Sequence, residues 1–133
     1  MRGIEIAARS LRKSFEGGLV QALDGVDLHV RAGERLALTG PTGCGKTTLL
    51  SILGCLDRPS RGEYLFEGRS VESLGDDELS RLRNRSIGFV FQSFHLIPQL
   101  TVAENVETPL LYEGRQPSGW RRRALEALER VSL

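Results

Sequence analysis

The sequence predicts an α/β fold, and three observations carry that prediction. An apolar run, Arg35 to Thr39, leads straight into the glycine-rich stretch Gly40-Pro41-Thr42-Gly43-Cys44-Gly45-Lys46-Thr47, and a proline-free helical segment, Lys46 to Leu56, follows it. Upstream, two segments alternate apolar and polar residues with the period of half-buried strands. Downstream, further segments carry the capping and charge signals of helices.

Taken in order, Ile4 to Phe15 reads as the first strand, with Ile4, Ile6 and Ala8 set against Glu5, Ala7 and Arg9. Gly17-Gly18 turns the chain, and Leu23 to Val30 alternates again before a turn at Arg31-Ala32-Gly33-Glu34. Arg35 to Thr39 is the next strand and Lys46 to Leu56 the first helix; Glu63 to Phe66 is a short strand that turns at Glu67-Gly68. A second helix spans about Asp76 to Asn84. Asp76, Asp77 and Glu78 sit in its first turn and Arg81, Arg83 and Arg85 towards its end, an order that matches the helix dipole. Ile87 to Phe91 reads as another apolar strand, ending in Gln92. Thr101-Val102-Ala103-Glu104 is a capping box that opens a helix to about Tyr112. Pro117-Ser118 starts a last helix, whose inner face carries Trp120, Ala124, Leu128 and Val131.

Composition narrows the function classes. The 133 residues suffice for one domain with a modest core. Eighteen Lys and Arg against 17 Asp and Glu give a formal net charge of +1, which argues against a dedicated nucleic-acid binder. With 40% hydrophobic and 26% charged residues the chain is no disordered tail. The longest apolar run, Leu49 to Leu56, is interrupted by Ser51 and Gly54 and falls short of the roughly 20 residues a bilayer span takes. Met1-Arg2-Gly3-Ile4-Glu5 lacks the apolar core of a signal peptide. Cys44 and Cys55 have no ligand spacing, so a soluble protein in a reducing, cytosolic setting is expected.

The chemistry lies in the G-x-x-x-x-G-K-[ST] pattern of Gly40 to Thr47. Its glycines let the backbone curl so that several N–H groups point inward at phosphate oxygens. A helix starting near Lys46 adds the positive end of its dipole. Lys46 then reaches the β and γ phosphates, and the Thr47 hydroxyl is placed to ligate Mg²⁺. A chance match on an ordinary loop is the alternative, and the preceding strand and following helix weigh against it. No Asn-Lys-x-Asp element for guanine is present. Hydrolytic phosphate-loop proteins usually carry a strand ending in Asp that helps hold the magnesium. Here Ile87 to Phe91 ends in Gln92, and the nearest imitation, Tyr64-Leu65-Phe66-Glu67, turns at once at Gly68.

The order of Phe15, then Gly40 to Thr48, then Phe91-Gln92 resembles the first part of an ATP-binding cassette (ABC) transporter ATPase, and the resemblance extends across essentially the whole chain. Ser51-Ile52-Leu53-Gly54-Cys55-Leu56-Asp57-Arg58-Pro59, Phe91-Gln92-Ser93-Phe94-His95-Leu96-Ile97-Pro98 and Thr101-Val102-Ala103-Glu104-Asn105-Val106 are similar to the macrolide-export and lipoprotein-release (MacB/LolD-type) branch. The resemblance implies a phosphate-loop core with an N-terminal antiparallel β subdomain over about residues 1–92. It places the Gln loop and the start of a helical subdomain over about 93–133.

The resemblance also implies roles. Phe15 stacks on adenine where many members carry Tyr; its other reading is a core residue at the sheet edge. Gly40, Pro41, Thr42, Gly43, Cys44, Gly45, Lys46, Thr47 and Thr48 bind the phosphates, Thr48 at the α phosphate. Cys44 stands where Ser is common, contributes mainly its backbone N–H, and is open to thiol reagents if exposed. Gln92 approaches Mg²⁺ and the attacking water, a place suited to a neutral amide, and links to the membrane partner; its other reading is a solvent-facing strand end. Lys46 and Gln92 are therefore the candidate catalytic residues, and Thr47 and Gln92 the candidate metal contacts. Two features read more plainly. Arg121-Arg122-Arg123 faces Glu126 and Glu129 one turn on and forms a solvated, paired face. His95 is a packing or partner-contact residue.

What the resemblance implies for the whole is an ATP-binding subunit that takes Mg-ATP and pairs with a second copy of itself. It would drive a transmembrane permease subunit, met near Gln92 to Glu104, from the cytoplasmic face of a prokaryotic inner membrane. The apolar Phe94, Leu96, Ile97 and Leu100 fit such a docking surface. The chain has no Leu-Ser-Gly-Gly-Gln signature, no strand ending in Asp-Glu and no later switch histidine, so it is expected to be the N-terminal part of such a subunit. A non-hydrolysing nucleotide-binding fragment and another phosphate-loop enzyme, such as a small-molecule kinase, are the other readings.

Overall fold

The computed structural model describes residues 3–113 and 119–133, and the start expected for the last helix at Pro117-Ser118 lies outside them. The chain divides into two units, Met1–Leu79 and Ser80–Leu133.

The first unit is built on a four-stranded antiparallel sheet of order β2-β1-β3-β4, from β1 (Ile6–Phe15), β2 (Val20–Val30), β3 (Arg61–Phe66) and β4 (Arg69–Ser70). β1 is central, pairing Ile6 with Val30 on one side and with Phe66 on the other. Alternation along β1 is broken between Ala8 and Leu11, where Ser10 takes φ 47°. The bulge adds a residue and lets both Ala8 and Leu11 face inward, fully buried. Glu67 and Gly68, both at positive φ, make the two-residue turn from β3 into β4, a strand not expected from the sequence.

Helix α1 (Lys46–Leu53) supplies Leu49 and Ile52 to the core, which also holds Leu11, Leu23, Cys55, Tyr64, Phe66 and Val71. Tyr64 is wholly buried, and its hydroxyl donates to the Leu53 carbonyl oxygen at 2.6 Å. That bond ties β3 to the end of α1. Burial pushes the Tyr64 phenol far above its usual range, with Cys55 and Glu72 adding to the effect.

Helix α2 (Asp76–Ser86) has the acidic first turn and the basic last turn that its sequence predicts, the latter formed by Arg83 and Arg85. In the second unit, α3 (Val102–Glu107) opens on the expected capping box. The Thr101 hydroxyl accepts from the Glu104 N–H at 3.3 Å, and the Glu104 carboxylate accepts from the Thr101 N–H at 2.7 Å. The α-helix stops at Glu107 and the chain continues as a 3-10 helix over Thr108–Glu113. Pro109 is the reason: it has no N–H to give, and its ring crowds the carbonyl one turn back. Helix α4 (Trp120–Glu129) buries Ala124 and half-buries Trp120 and Leu128, whereas Val131, expected on the same face, lies beyond the helix and is 66% exposed. Arg122 pairs with Glu126 one turn on, but Arg121 reaches Glu107 of α3 instead.

Two expected strands are absent. Neither Arg35–Thr39 nor Ile87–Phe91 forms one, because no described segment lies alongside to complete a ladder. Leu36 is half-exposed and Val90 entirely so.

Candidate functional site

The loop from Gly40 to Gly45 and the first turn of α1 form one continuous backbone feature. Gly45 is the residue that caps the helix, at φ +91°, and Gly43 lies at +82°. Gly45 is also pressed against β2. A Cβ built on it would stand 2.4 Å from the Ala22 carbonyl oxygen and 3.0 Å from Leu23 Cδ2. Only glycine meets both demands, so the approach to β2 fixes where α1 begins. The first hydrogen bond of the turn runs from the Leu49 N–H to the Gly45 carbonyl at 2.8 Å. The N–H groups of Lys46, Thr47 and Thr48 precede it and have no acceptor within the helix.

Lys46 folds back over this loop. Its ammonium donates to the carbonyl oxygens of Gly40 at 2.8 Å and Pro41 at 2.6 Å, with Cys44 Sγ at 3.5 Å. A single cation thereby closes the mouth of the loop. Thr47 and Cys44 are exposed, and Lys46 and Thr48 are half-buried. Unpaired helix-start amides, one ammonium and two threonine hydroxyls are a donor set suited to an anion carrying several oxygens.

Phe15 ends β1 and is 41% exposed, so it is not a core residue. Lys13 stands over its ring, 5.1 Å from the centroid. The same ammonium is held by Asp57 Oδ1 at 2.6 Å and the Arg58 carbonyl at 2.8 Å. β2 brings ring and loop together. Val20 pairs with Phe15, and Ala22, two residues on, touches Gly45. Along a strand those two positions are about 7 Å apart.

Gln92 belongs to the second unit and follows a stacked pair, Phe89 and Phe91, whose rings lie 5.4 Å apart. Residues 92–100 are all exposed, among them Phe94, Leu96, Ile97 and Leu100. The His95 ring meets Phe91 edge-on at 4.7 Å, in keeping with a packing residue. Sequence reading missed the Lys13–Asp57 support under Phe15, because it joins β1 to the segment after α1. It also missed Asn105, whose side chain bonds the backbone at Ile97, Leu100 and Thr101. A hollow of about 680 Å³ lies beside the sheet among Glu5, Arg9, Asp27 and His29, and contains none of the candidate site residues.

A strand-supported glycine loop opening a helix, with a lysine closed over it, defines a phosphate-loop nucleotide-binding protein. The family described as ABC transporter matches residues 23–133, and the chain belongs to that family. It is 50% identical over 131 residues to the pyoverdine export ATP-binding/permease protein PvdT of Pseudomonas savastanoi pv. phaseolicola, covering 96% of this chain and 20% of that one. It is 48% identical, with the same coverage, to the macrolide export ATP-binding/permease protein MacB of Nitrosomonas europaea. The fold matches a solved dimeric ATP-binding cassette, MJ0796 in a post-hydrolysis state with ADP and Pi, at TM-score 0.84 and 41% identity over 96% of this chain and 57% of that one. The chain thus spans about a fifth of the length of those curated relatives. No helix among the described residues is long and apolar enough to cross a membrane.

Proposed function

We propose that the chain is the Mg-ATP-binding part of an ABC transporter acting in export or in lipoprotein release. Its β subdomain and loop core cover about residues 1–92, and the start of the helical subdomain about 93–133. The observation that carries this reading is the loop itself: Gly45 locked against β2 and Lys46 arched across, with helix-start amides that have no acceptor within the helix.

In this reading Phe15 stacks on adenine, backed by Lys13 on its ring. The phosphates would then enter the loop. Lys46 exchanges two carbonyl oxygens for the β and γ phosphate oxygens, a stronger, charge-assisted pairing. Thr48 meets the α phosphate, while Thr47 and Gln92 hold the magnesium, which when bound neutralises the phosphate charge. Gln92 orients the attacking water. The exposed apolar loop after Gln92, up to Glu104, docks a transmembrane permease from the cytoplasmic face, and two copies of the subunit pair for turnover. The relatives' names, each joining ATP-binding to permease, favour that partner and an export role.

Lys46→Ala tests the assignment by titration with a fluorescent ATP analogue. Affinity is expected to fall about 100-fold, the scale of a lost charge-assisted contact. Unchanged affinity would sink the phosphate-loop reading.

A further inference from the structure

We propose that Asn105 is the positioning residue of the partner-docking loop, holding residues 93–100 in the shape that presents Phe94, Leu96 and Ile97. This rests on the reading of Gln92 to Glu104 as the permease contact.

The loop has few holds of its own. All of its residues are exposed, Phe94 at 89% and Leu96 at 60%, and the His95 ring meets Phe91 edge-on near its start. Inside it the Leu100 N–H donates to the Ile97 carbonyl at 3.1 Å. Asn105 supplies what is lacking. Its Oδ1 accepts from the Ile97 N–H at 2.8 Å. Its Nδ2 donates towards the carbonyls of Ile97 at 3.2 Å, Leu100 at 3.1 Å and Thr101 at 3.0 Å. One amide thus satisfies both backbone groups of Ile97 and gathers the end of the loop onto the first turn of α3.

Its own mounting is firm. The Asn105 N–H donates to the Thr101 carbonyl at 2.9 Å, within the turn closed by the Thr101–Glu104 capping box, and Ala103 beside it is buried. The chemistry demands an amide. An aspartate keeps the acceptor for Ile97 but turns a negative oxygen towards three carbonyls, and an alanine reaches none of the four groups.

The test uses the intact transporter carrying this chain, reconstituted with its permease, in wild-type, Asn105→Ala and Asn105→Asp forms. ATP KM is expected to stay within about twofold, while partner-stimulated kcat falls about tenfold in both variants. Without the partner, amide exchange at Ile97 is expected to quicken about tenfold in Asn105→Ala and less in Asn105→Asp, which keeps the acceptor. A general loss of folding would instead raise exchange across α3 and the sheet; if alanine does that, the isosteric aspartate variant decides. Variants with wild-type stimulation and Ile97 exchange overturn the role of Asn105. If the permease fails to slow exchange over residues 93–100 even in the wild type, the docking reading falls, and this proposal with it.

Discussion

Gly45 sets the geometry on which the phosphate loop depends. At φ +91° a side chain is strained before any contact is counted, and its Cβ would then strike the Ala22 carbonyl oxygen at 2.4 Å, which is backbone and cannot swing away. Gly45→Ala is therefore expected to destabilise the chain by about 2–4 kcal/mol. Urea unfolding at constant m reads this directly; a loss below about 0.5 kcal/mol would mean that β2 gives way. The loop was legible in the sequence because its requirement is local, written in one run from Gly40 to Thr47. The reason Gly45 must be glycine was not, since it depends on a strand far upstream. Phe15 shows the same divide: its exposure at the sheet edge decides against a core residue, yet nothing in the sequence announced Lys13, Asp57 and Arg58 behind it.

Elements defined by neighbours in sequence were read well, and those defined by neighbours in space were not. The capping box at Thr101 and Glu104 forms as its spacing predicts, whereas Arg35–Thr39 and Ile87–Phe91 have the apolar residues of strands without a ladder to join. Pro109 ends the α-helix expected to reach Tyr112, and a proline's effect on a helix is itself local. The capping box makes a pH prediction. The Thr101 hydroxyl, then its backbone N–H, hold the Glu104 carboxyl below its usual range. A lowered folded-state value means that the cap's contribution is present above the ordinary glutamate value and is lost as pH falls through the folded one. Amide exchange at Thr101 and Glu104, taken relative to the intrinsic rate at each pH, is therefore expected to quicken in that acidic window. In Glu104→Gln, which keeps an acceptor without a titrating group, the acceleration is expected to vanish; its persistence would assign the effect to another group.

For the molecule as a whole, binding and hydrolysis make different demands, and in the proposed reading residues 40–48 are suited to the first. Binding needs donors for phosphate oxygens, which in the proposed reading come from the loop, Lys46 and the helix start. Hydrolysis needs in addition a group that takes a proton from the attacking water. Residues 40–48 contain no carboxylate or imidazole, and the Gln92 amide can orient a water but cannot accept its proton. These 133 residues prepared alone are thus expected to bind ATP and to release no phosphate above background, with Lys46→Ala as the control in which binding is weakened about 100-fold. Phosphate release that disappears in Lys46→Ala would overturn this, for it would require a proton acceptor within the chain. Glu67, in the turn that follows β3, is then the first carboxylate to replace with glutamine, because an acid directly after a strand is the sequence's nearest imitation of the acidic strand end of hydrolytic phosphate-loop proteins.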